Sequence, residues 1–326
     1  MSIFLMLVFL SYLLLCKFAK AGGLFNVLVV IFIILSTALR FNVEIKDNLD
    51  YEGYILWDNS PIKLSLLTIF AEPYFYVLSN VFYKFTKSSA EALYYIYHVN
   101  FIISTYFFIW LASKVDILLW KKMLLFTFYY FLFTYTTLRN GPAYILVAYM
   151  FYAIQRNRKY LAGYLSFLAH ASALPALMAT FLKFKKPTTK VLILIVMLSV
   201  LLATVMQLPA FSHVSNKYDA YTDSDMKRDV TLFHKIYFGV MILLNIYLFM
   251  YRRIYVFTNI YIFMIMLYVW MYFQNPVMAF RFSVFIVTFL CLHPQDQKIK
   301  RFDIFLNAIS SIFVIGFLYT FYSNHK

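Results

Sequence analysis

The chain has 326 residues, of which 63% are hydrophobic and 13% are charged, and its formal net charge is +15. Soluble globular domains average about 45–50% apolar and about 25% charged residues, so this composition excludes a soluble fold. We predict a single all-α, polytopic membrane domain over residues 1–326. The two cysteines, Cys16 and Cys291, lie in apolar runs and indicate neither a disulfide framework nor a Cys-based metal site.

Apolar runs follow one another along the chain, and about 20 apolar residues suffice to cross a bilayer as a helix. No positive residue precedes the first run, which we therefore interpret as a retained helix and not a signal peptide. We expect about 11–12 transmembrane or membrane-embedded helices. The runs are 2–18, 24–39, 66–86, 92–112, 118–138, 141–155, 160–182, 190–208, 233–251, 254–273, 276–292 and 303–322.

Positive charge is concentrated in short clusters between these runs, as the positive-inside rule predicts for cytoplasmic loops. It therefore indicates topology and attraction to anionic lipid head groups, and it does not indicate nucleic-acid binding. With the clusters cytoplasmic, the outer loops are 40–65 and 209–232, which carry most of the acidic residues. The clusters are Lys17/Lys20, Lys114/Lys121/Lys122, Arg156/Arg158/Lys159, Lys183/Lys185/Lys186/Lys190, Arg252/Arg253 and Lys298/Lys300/Arg301.

Two segments break the alternation of sides. One is 66–86, which contains Glu72, and the other is 160–182, which contains His170. Either these segments are short, re-entrant or interfacial, or one basic cluster lies outside. Broken helices with polar residues are tolerated in a membrane where they line a protein cavity. We expect departures from plain spanning helices at these two places.

Two arginines stand in apolar surroundings. Arg139 ends a long run directly before Asn140, Gly141 and Pro142, and Arg281 lies deeper in its own run, on the same predicted side. Arg139 is either an interfacial residue that snorkels to head groups or an anion clamp that grips phosphate oxygens. Two arginines that converge on the outer face would suit a diphosphate.

Three further residues have competing interpretations. His170 is predicted mid-helix among small residues, where a packing role is favoured over catalysis. Glu72 either starts an interfacial helix or serves as a general base. Asp50 belongs to an acidic loop that fits no calcium-loop pattern, so a solvated loop is favoured over a cation site. We predict no metal and no cofactor.

Nucleotide and protease signatures are absent from the sequence. It has no Walker A loop, no G-x-G-x-x-G and no H-E-x-x-H. This argues against an ATP-driven transporter and a soluble-type nucleotide-sugar enzyme, and it weakens the case for an intramembrane metalloprotease.

Five groups of residues, taken in order and spanning residues 40–285, resemble the EpsG-like branch of the Wzy-type polysaccharide polymerases. In that family a Gln commonly follows the central Arg, where this chain has Asn140. The groups are Arg40-Phe41 with Asp50-Tyr51 and Tyr54, Glu72-Pro73-Tyr74-Phe75, Leu138-Arg139-Asn140-Gly141-Pro142-Ala143, Phe167-Leu168-Ala169-His170-Ala171-Ser172-Ala173-Leu174, and Ala279-Phe280-Arg281-Phe282.

The resemblance implies a glycosyltransferase of GT-C-like architecture at the outer face of a bacterial inner (cytoplasmic) membrane. Such an O-antigen or surface-polysaccharide polymerase moves a growing glycan from undecaprenyl diphosphate onto the non-reducing end of a lipid-linked repeat unit. The implied partners are the undecaprenyl-diphosphate-linked oligosaccharide, the lipid bilayer and a polysaccharide chain-length regulator, with no nucleic acid.

Site roles follow from the same resemblance. The diphosphate would be bound by Arg139, Arg281 and Arg40. The acid–base residue would be Glu72, Asp50 or His170, in that order of preference. The glycan would contact Tyr54 and Asn140. Two alternatives stay open, a flippase or transporter of lipid-linked oligosaccharide and an O-antigen ligase or single-addition glycosyltransferase, because their sites would also need arginines for the diphosphate.

Overall fold

Every regular element that the computed structural model describes is a helix. The described residues are 2–45, 51, 73–86, 88–136, 138, 140–170, 172–182, 189, 193–194, 196–197, 200–201, 232–252, 258–274 and 276–294. The chain divides into two compact units. Unit 1 comprises Met1–Lys63, Pro73–Ile145 and Pro294–Lys326, and unit 2 comprises Leu64–Glu72 and Leu146–His293. The single membrane domain stays a prediction.

Unit 1 is built from helices joined in part by short connections. They are α1 (Ser2–Lys17), α2 (Gly23–Phe41), α3 (Pro73–Tyr83), α4 (Ser89–Ser113), α5 (Leu119–Phe131) with its π-helical continuation Leu132–Thr136, and the start of α6 (Asn140–Ile154). Helix α1 packs against α2, α4 and α5. Gly22 makes the tight turn into α2 with a φ of 51°, a conformation that glycine adopts without strain. Ser88 caps α4 by accepting a hydrogen bond from the Glu91 N–H at 3.3 Å.

Buried aromatic rings hold these helices together. Tyr12 of α1 stacks on Phe126 of α5 with ring centroids 3.9 Å apart, and Phe108 of α4 meets Phe126 edge-on at 5.3 Å. Phe32 of α2 and Tyr130 of α5 complete the cluster, with their rings 6.0 Å apart. In lipid the hydrophobic effect does not drive helices together, so close packing of this kind has to do so.

The opposite face of α2 is apolar and exposed, including Val27, Val30, Ile31 and Ile34. A contiguous exposed apolar surface is typical of contact with lipid. Two described helices, Gly23–Phe41 and Ala90–Ser113, are long and apolar enough to cross a bilayer, and several shorter helices are apolar as well. The total of about 11–12 helices stays a prediction.

The two ends of unit 1 differ in chemistry. Buried Lys122, near the start of α5, donates from Nζ to the Ala112 carbonyl at 2.7 Å and so satisfies the end of α4. It also lies beside Cys16, close to Lys17 at the end of α1. Basic residues therefore gather at this end. Arg40 contacts α4 about 15 residues earlier, at Tyr97, which places it about 22 Å away along the helix.

Unit 2 contains long helices and one broken segment. The helices are the rest of α6, α7 (Ser166–Ala169), α8 (Ala173–Phe181), α9 (Leu232–Arg252), α10 (Asn259–Gln274) and α11 (Pro276–Leu292). Helix α10 packs against α8 and α11, and α9 packs against α11. Phe238 of α9 stacks on Tyr272 of α10 at 3.6 Å between centroids.

The segment 160–182 departs from a plain helix, as expected. It begins with a 3₁₀ turn, Leu161–Leu165, which α7 continues, and a break at His170 separates α7 from α8. The turn approaches α6 closely, because a Cβ on Gly163 would lie 2.6 Å from the Met150 Cβ. The sequence predicts His170 mid-helix, and this is wrong, because the residue ends α7 in an extended conformation.

Side chains that follow α6 complete the end of α11. The Gln155 Nε2 donates to the Phe289 carbonyl at 2.8 Å, and the Arg156 Nη1 donates to the Leu292 carbonyl at 3.2 Å. Both carbonyls belong to the last turn of α11, which has no intrahelical donors for them. A cation at a helix C-terminus is also favoured by the helix dipole. We call this arrangement the Arg156 clamp.

Candidate functional site

Arg40 lies in the last turn of α2, inside unit 1, and is only 3% exposed. Its guanidinium carbon lies 5.7 Å from the ring centre of Tyr97 on α4 and 5.3 Å from that of Tyr135 in the π-helical turn. Its Nη1 donates to the Val43 carbonyl at 3.2 Å. Helix α2 thus places a buried cation beside two aromatic rings.

The guanidinium keeps hydrogen-bonding capacity in reserve. Within the part of the chain that the structure describes, Nε and Nη2 of Arg40 have no hydrogen-bond partner. A guanidinium carries five N–H donors and stays protonated, and burying such donors without acceptors costs free energy. An anion with two oxygen atoms would satisfy both nitrogens bidentately. These two nitrogens are therefore chemically suited to bind a phosphate or a carboxylate.

Several of the sequence motifs meet next to the Arg40 guanidinium. Tyr97 belongs to a buried cluster with Phe75, Leu93, Ile96 and Leu138, and Tyr51 and Tyr76 pack against it. The cluster therefore joins residues that follow Asp50 and Glu72 in the chain to the residue that precedes Arg139. Together with Arg40, five stretches of the chain converge here: the end of α2, Tyr51, α3, α4 and Leu138.

Asn100 connects two of these segments and was not singled out by the sequence analysis. It is 1% exposed, and its Nδ2 donates to the Leu138 carbonyl at 2.6 Å. Its Oδ1 accepts a hydrogen bond from the Tyr74 hydroxyl at 2.7 Å. The sequence does contain a signal for Asn100, since an amide stands in the middle of the apolar run 92–112 and polar side chains at membrane depth are costly.

Asn140, predicted to contact glycan, is the first residue of α6 and is buried. Among the described residues, no group donates a hydrogen bond to its side-chain oxygen. Unit 1 thus has a spare acceptor at Asn140 as well as the spare donors at Arg40. A sugar hydroxyl can use both kinds of group.

His98 is a second residue that the sequence analysis missed. It lies one position from Tyr97, near Arg40, with its ring 5.6 Å from that of Phe41. Its Nδ1 lies 2.8 Å from the Tyr94 carbonyl, which can only accept, so Nδ1 carries the proton. The buried Nε2 is then an acceptor, and no described group donates to it.

Four predicted site residues, Asp50, Tyr54, Glu72 and Arg139, lie outside the described residues. Their roles stay predictions.

The other two predicted residues, His170 and Arg281, belong to unit 2. The His170 Nδ1 accepts from the Ser172 N–H at 3.0 Å and lies 2.7 Å from the Ser172 hydroxyl oxygen. The neutral ring therefore carries its proton on Nε2. Arg281 is half-buried on α11, next to Phe280. The Phe280 ring lies 5.6 Å from the His234 ring and 4.9 Å from the Tyr237 ring.

A family model supplies the relationship of this chain to known proteins. The model described as the EpsG family matches residues 23–326, which is nearly the whole chain. The chain belongs to the EpsG family. As an EpsG-family protein it is a membrane protein of polysaccharide biosynthesis, in a family associated with glycosyltransferase-like polymerases. No curated protein and no solved structure matches the chain.

Proposed function

We propose that this EpsG-family protein is a polymerase of a bacterial surface polysaccharide such as O-antigen. It transfers the growing glycan from undecaprenyl diphosphate to the non-reducing end of a lipid-linked repeat unit, at the outer face of the inner membrane. The observation that carries the proposal is the Arg40 guanidinium, buried at the meeting point of the family's motifs with two nitrogens in reserve.

The reaction develops negative charge on the leaving diphosphate, and arginine N–H groups are suitable donors to that charge. The acceptor hydroxyl oxygen attacks the anomeric carbon of the donor sugar, and the bond from that carbon to the diphosphate oxygen breaks. The departing undecaprenyl diphosphate gains negative charge. N–H donors fixed in a low-dielectric site stabilise such charge more than water does. We assign this role to Arg40, Arg139 and Arg281.

The acceptor hydroxyl loses its proton during the transfer. A positioned carboxylate or imidazole takes that proton as a general base. We assign the role of general base to Glu72 first, then to Asp50 and then to His170. We further propose that Tyr54 and Asn140 contact the glycan. The donor is already activated by its diphosphate, so this scheme needs no nucleotide.

The direct test uses the purified full-length protein in liposomes with lipid-linked repeat units. We expect products that contain two or more repeat units on one lipid, resolved as a ladder by gel electrophoresis and mass spectrometry. The matched control is the Arg139→Ala, Arg281→Ala double variant, which should give no ladder.

Other outcomes would replace the proposal. Transfer of the intact lipid-linked unit between leaflets without lengthening would identify a flippase. Addition of one unit or one sugar only, without a ladder, would identify a ligase or a single-addition transferase. A full ladder from the double variant would remove the diphosphate role from both arginines.

A further inference from the structure

Asn100 joins α3 to Leu138, and no backbone hydrogen bond among the described residues links these two places. We propose that its side chain is a positioning residue for glycan transfer: it fixes the Leu138 carbonyl, and with it the entry of the chain into α6 at Asn140, relative to α3. The inference rests on the proposed function for its catalytic consequence, whereas the anchoring itself does not.

Both polar atoms of the Asn100 side chain make a hydrogen bond. Nδ2 donates to the Leu138 carbonyl at 2.6 Å and Oδ1 accepts from the Tyr74 hydroxyl at 2.7 Å. The bond from Tyr74 has the ordinary length of an O–H···O hydrogen bond, the bond to Leu138 is slightly shorter than is usual for N–H···O, and Asn100 is nearly inaccessible to solvent. In such surroundings each bond is strong, and a lost partner is expensive.

The Leu138 carbonyl lies where its orientation affects the direction of the chain that follows. Leu138 lies between the π-helical turn that ends at Thr136 and α6, which begins at Asn140, so it belongs to neither element. The carbonyl belongs to the peptide group on the C-terminal side of Leu138, and a peptide group is planar. Holding its oxygen therefore constrains the direction in which the chain continues toward α6, which begins at Asn140.

The second bond extends the constraint to the acidic motif. Tyr74 lies in the first turn of α3, two residues after Glu72. One amide therefore ties the segment after the proposed base to the segment before a proposed diphosphate ligand. Transfer requires the two reacting partners to be aligned within a fraction of an ångström, and a misplacement of 1 Å can cost about 100-fold in rate.

Unit 2 contains a matched pair of residues for comparison. The Asn245 Oδ1 accepts from the Tyr261 hydroxyl at 2.7 Å, and its Nδ2 donates to the Met241 carbonyl at 2.7 Å. Asn245 is buried as well. Met241 lies four residues earlier in the same helix, so this amide links α9 to α10 but holds no carbonyl in the chain between two helices. Asn245 and Tyr261 make the same two types of hydrogen bond at a different place in the fold. They therefore serve as the control for Asn100 and Tyr74.

The first measurement is elongation kinetics with the full-length protein in liposomes, corrected for the folded fraction. We expect Asn100→Leu to lower kcat about 10- to 100-fold while the KM for the lipid-linked donor changes less than about twofold. Tyr74→Phe removes one hydroxyl only and should give a smaller fall. Asn245→Leu and Tyr261→Phe lose the same bonds and should keep kcat within about twofold.

The second measurement needs no activity. Hydrogen–deuterium exchange of a peptide spanning residues 136–145 should be about fivefold faster or more in Asn100→Leu, and unchanged in Asn245→Leu. Unchanged exchange at the junction in both Asn100→Leu and Tyr74→Phe overturns the anchoring. Faster exchange with an unchanged kcat overturns the positioning role. A wild-type protein that never elongates overturns the proposed function, and exchange still decides the anchoring.

Discussion

Arg40 and Arg156 both lie beside the end of an apolar helix, yet their guanidinium groups are used differently. The Arg156 Nη1 donates to the Tyr152 carbonyl at 3.0 Å and to the Leu292 carbonyl at 3.2 Å, and its guanidinium carbon lies 3.5 Å from the Tyr152 ring centre. Arg40 donates to one carbonyl, and neither its buried Nε nor its buried Nη2 has a hydrogen-bond partner among the described residues, whereas at Arg156 the only such buried nitrogen is Nη2. A guanidinium that completes two helix ends stabilises the fold, whereas one that keeps most of its donors in reserve is prepared for an anion. The difference separates a structural arginine from a candidate functional one.

The largest expected effect comes from Arg40→Gln. Loss of the buried cation should lower elongation at least about 100-fold, the scale of removing one donor from developing negative charge. Arg40→Lys should recover only part of the activity, since a lysine keeps the charge but not the planar fork. The measurement is the glycan ladder in a strain that lacks the wild-type protein, together with the membrane level of each variant.

Arg156→Gln is the control for that variant. It removes the donors to two helix-end carbonyls and should lower stability by about 1–3 kcal/mol, with elongation per folded molecule nearly unchanged. Retention of a third or more of the elongation activity by Arg40→Gln would contradict the functional role of Arg40. So would equal losses of activity per folded molecule in the two variants.

A smaller effect is expected from packing near the Arg156 clamp. Gly163→Ala brings a Cβ to 2.6 Å from the Met150 Cβ, so the backbone has to shift, at a cost of about 1–3 kcal/mol. Gly239→Ala in α9 meets no described atom within 4 Å and should be neutral or stabilising by up to about 1 kcal/mol. Thermal unfolding in detergent compares the two. A Gly163→Ala protein as stable as Gly239→Ala would show that the turn does not pack closely on α6.

The smallest effect belongs to Gln155→Met. It removes the hydrogen bond to the Phe289 carbonyl and should cost about 1 kcal/mol, with elongation unchanged. A shift of a few degrees in the unfolding temperature is the expected result. A loss of elongation greater than the loss of folded protein would mean that the clamp acts in function, and the contrast with Arg40 would fail.

The helices of this protein were largely predictable, because apolar runs bounded by charges mark them. The runs 2–18, 24–39 and 276–292 correspond to α1, α2 and α11 within two residues. The irregular segment 160–182 was expected, but the break at His170 was not. There a side-chain nitrogen accepts the Ser172 N–H, and a run of small residues carries no sign of such a local bond.

The candidate site was predictable in part. Arg40 and Asn140 were named through the family resemblance, and the structure places Arg40 against Tyr97 and Leu138 in the same cluster as Tyr97. Asn100 was missed because its partner, Leu138, is 38 positions away, and only tertiary packing brings the two together. His98 carries a stronger signal, since a titratable group inside an apolar run is a functional candidate by default.

The π-helical stretch Leu132–Thr136 has a consequence for how this protein can vary. Each residue of an α-helix turns the chain by about 100°, so one residue more or fewer here would rotate everything that follows by that angle. Tyr135 would leave the ring pair around Arg40, and the Leu138 carbonyl would leave Asn100. An insertion or deletion in these five positions should therefore disturb the site as severely as a substitution of Arg40 or Asn100.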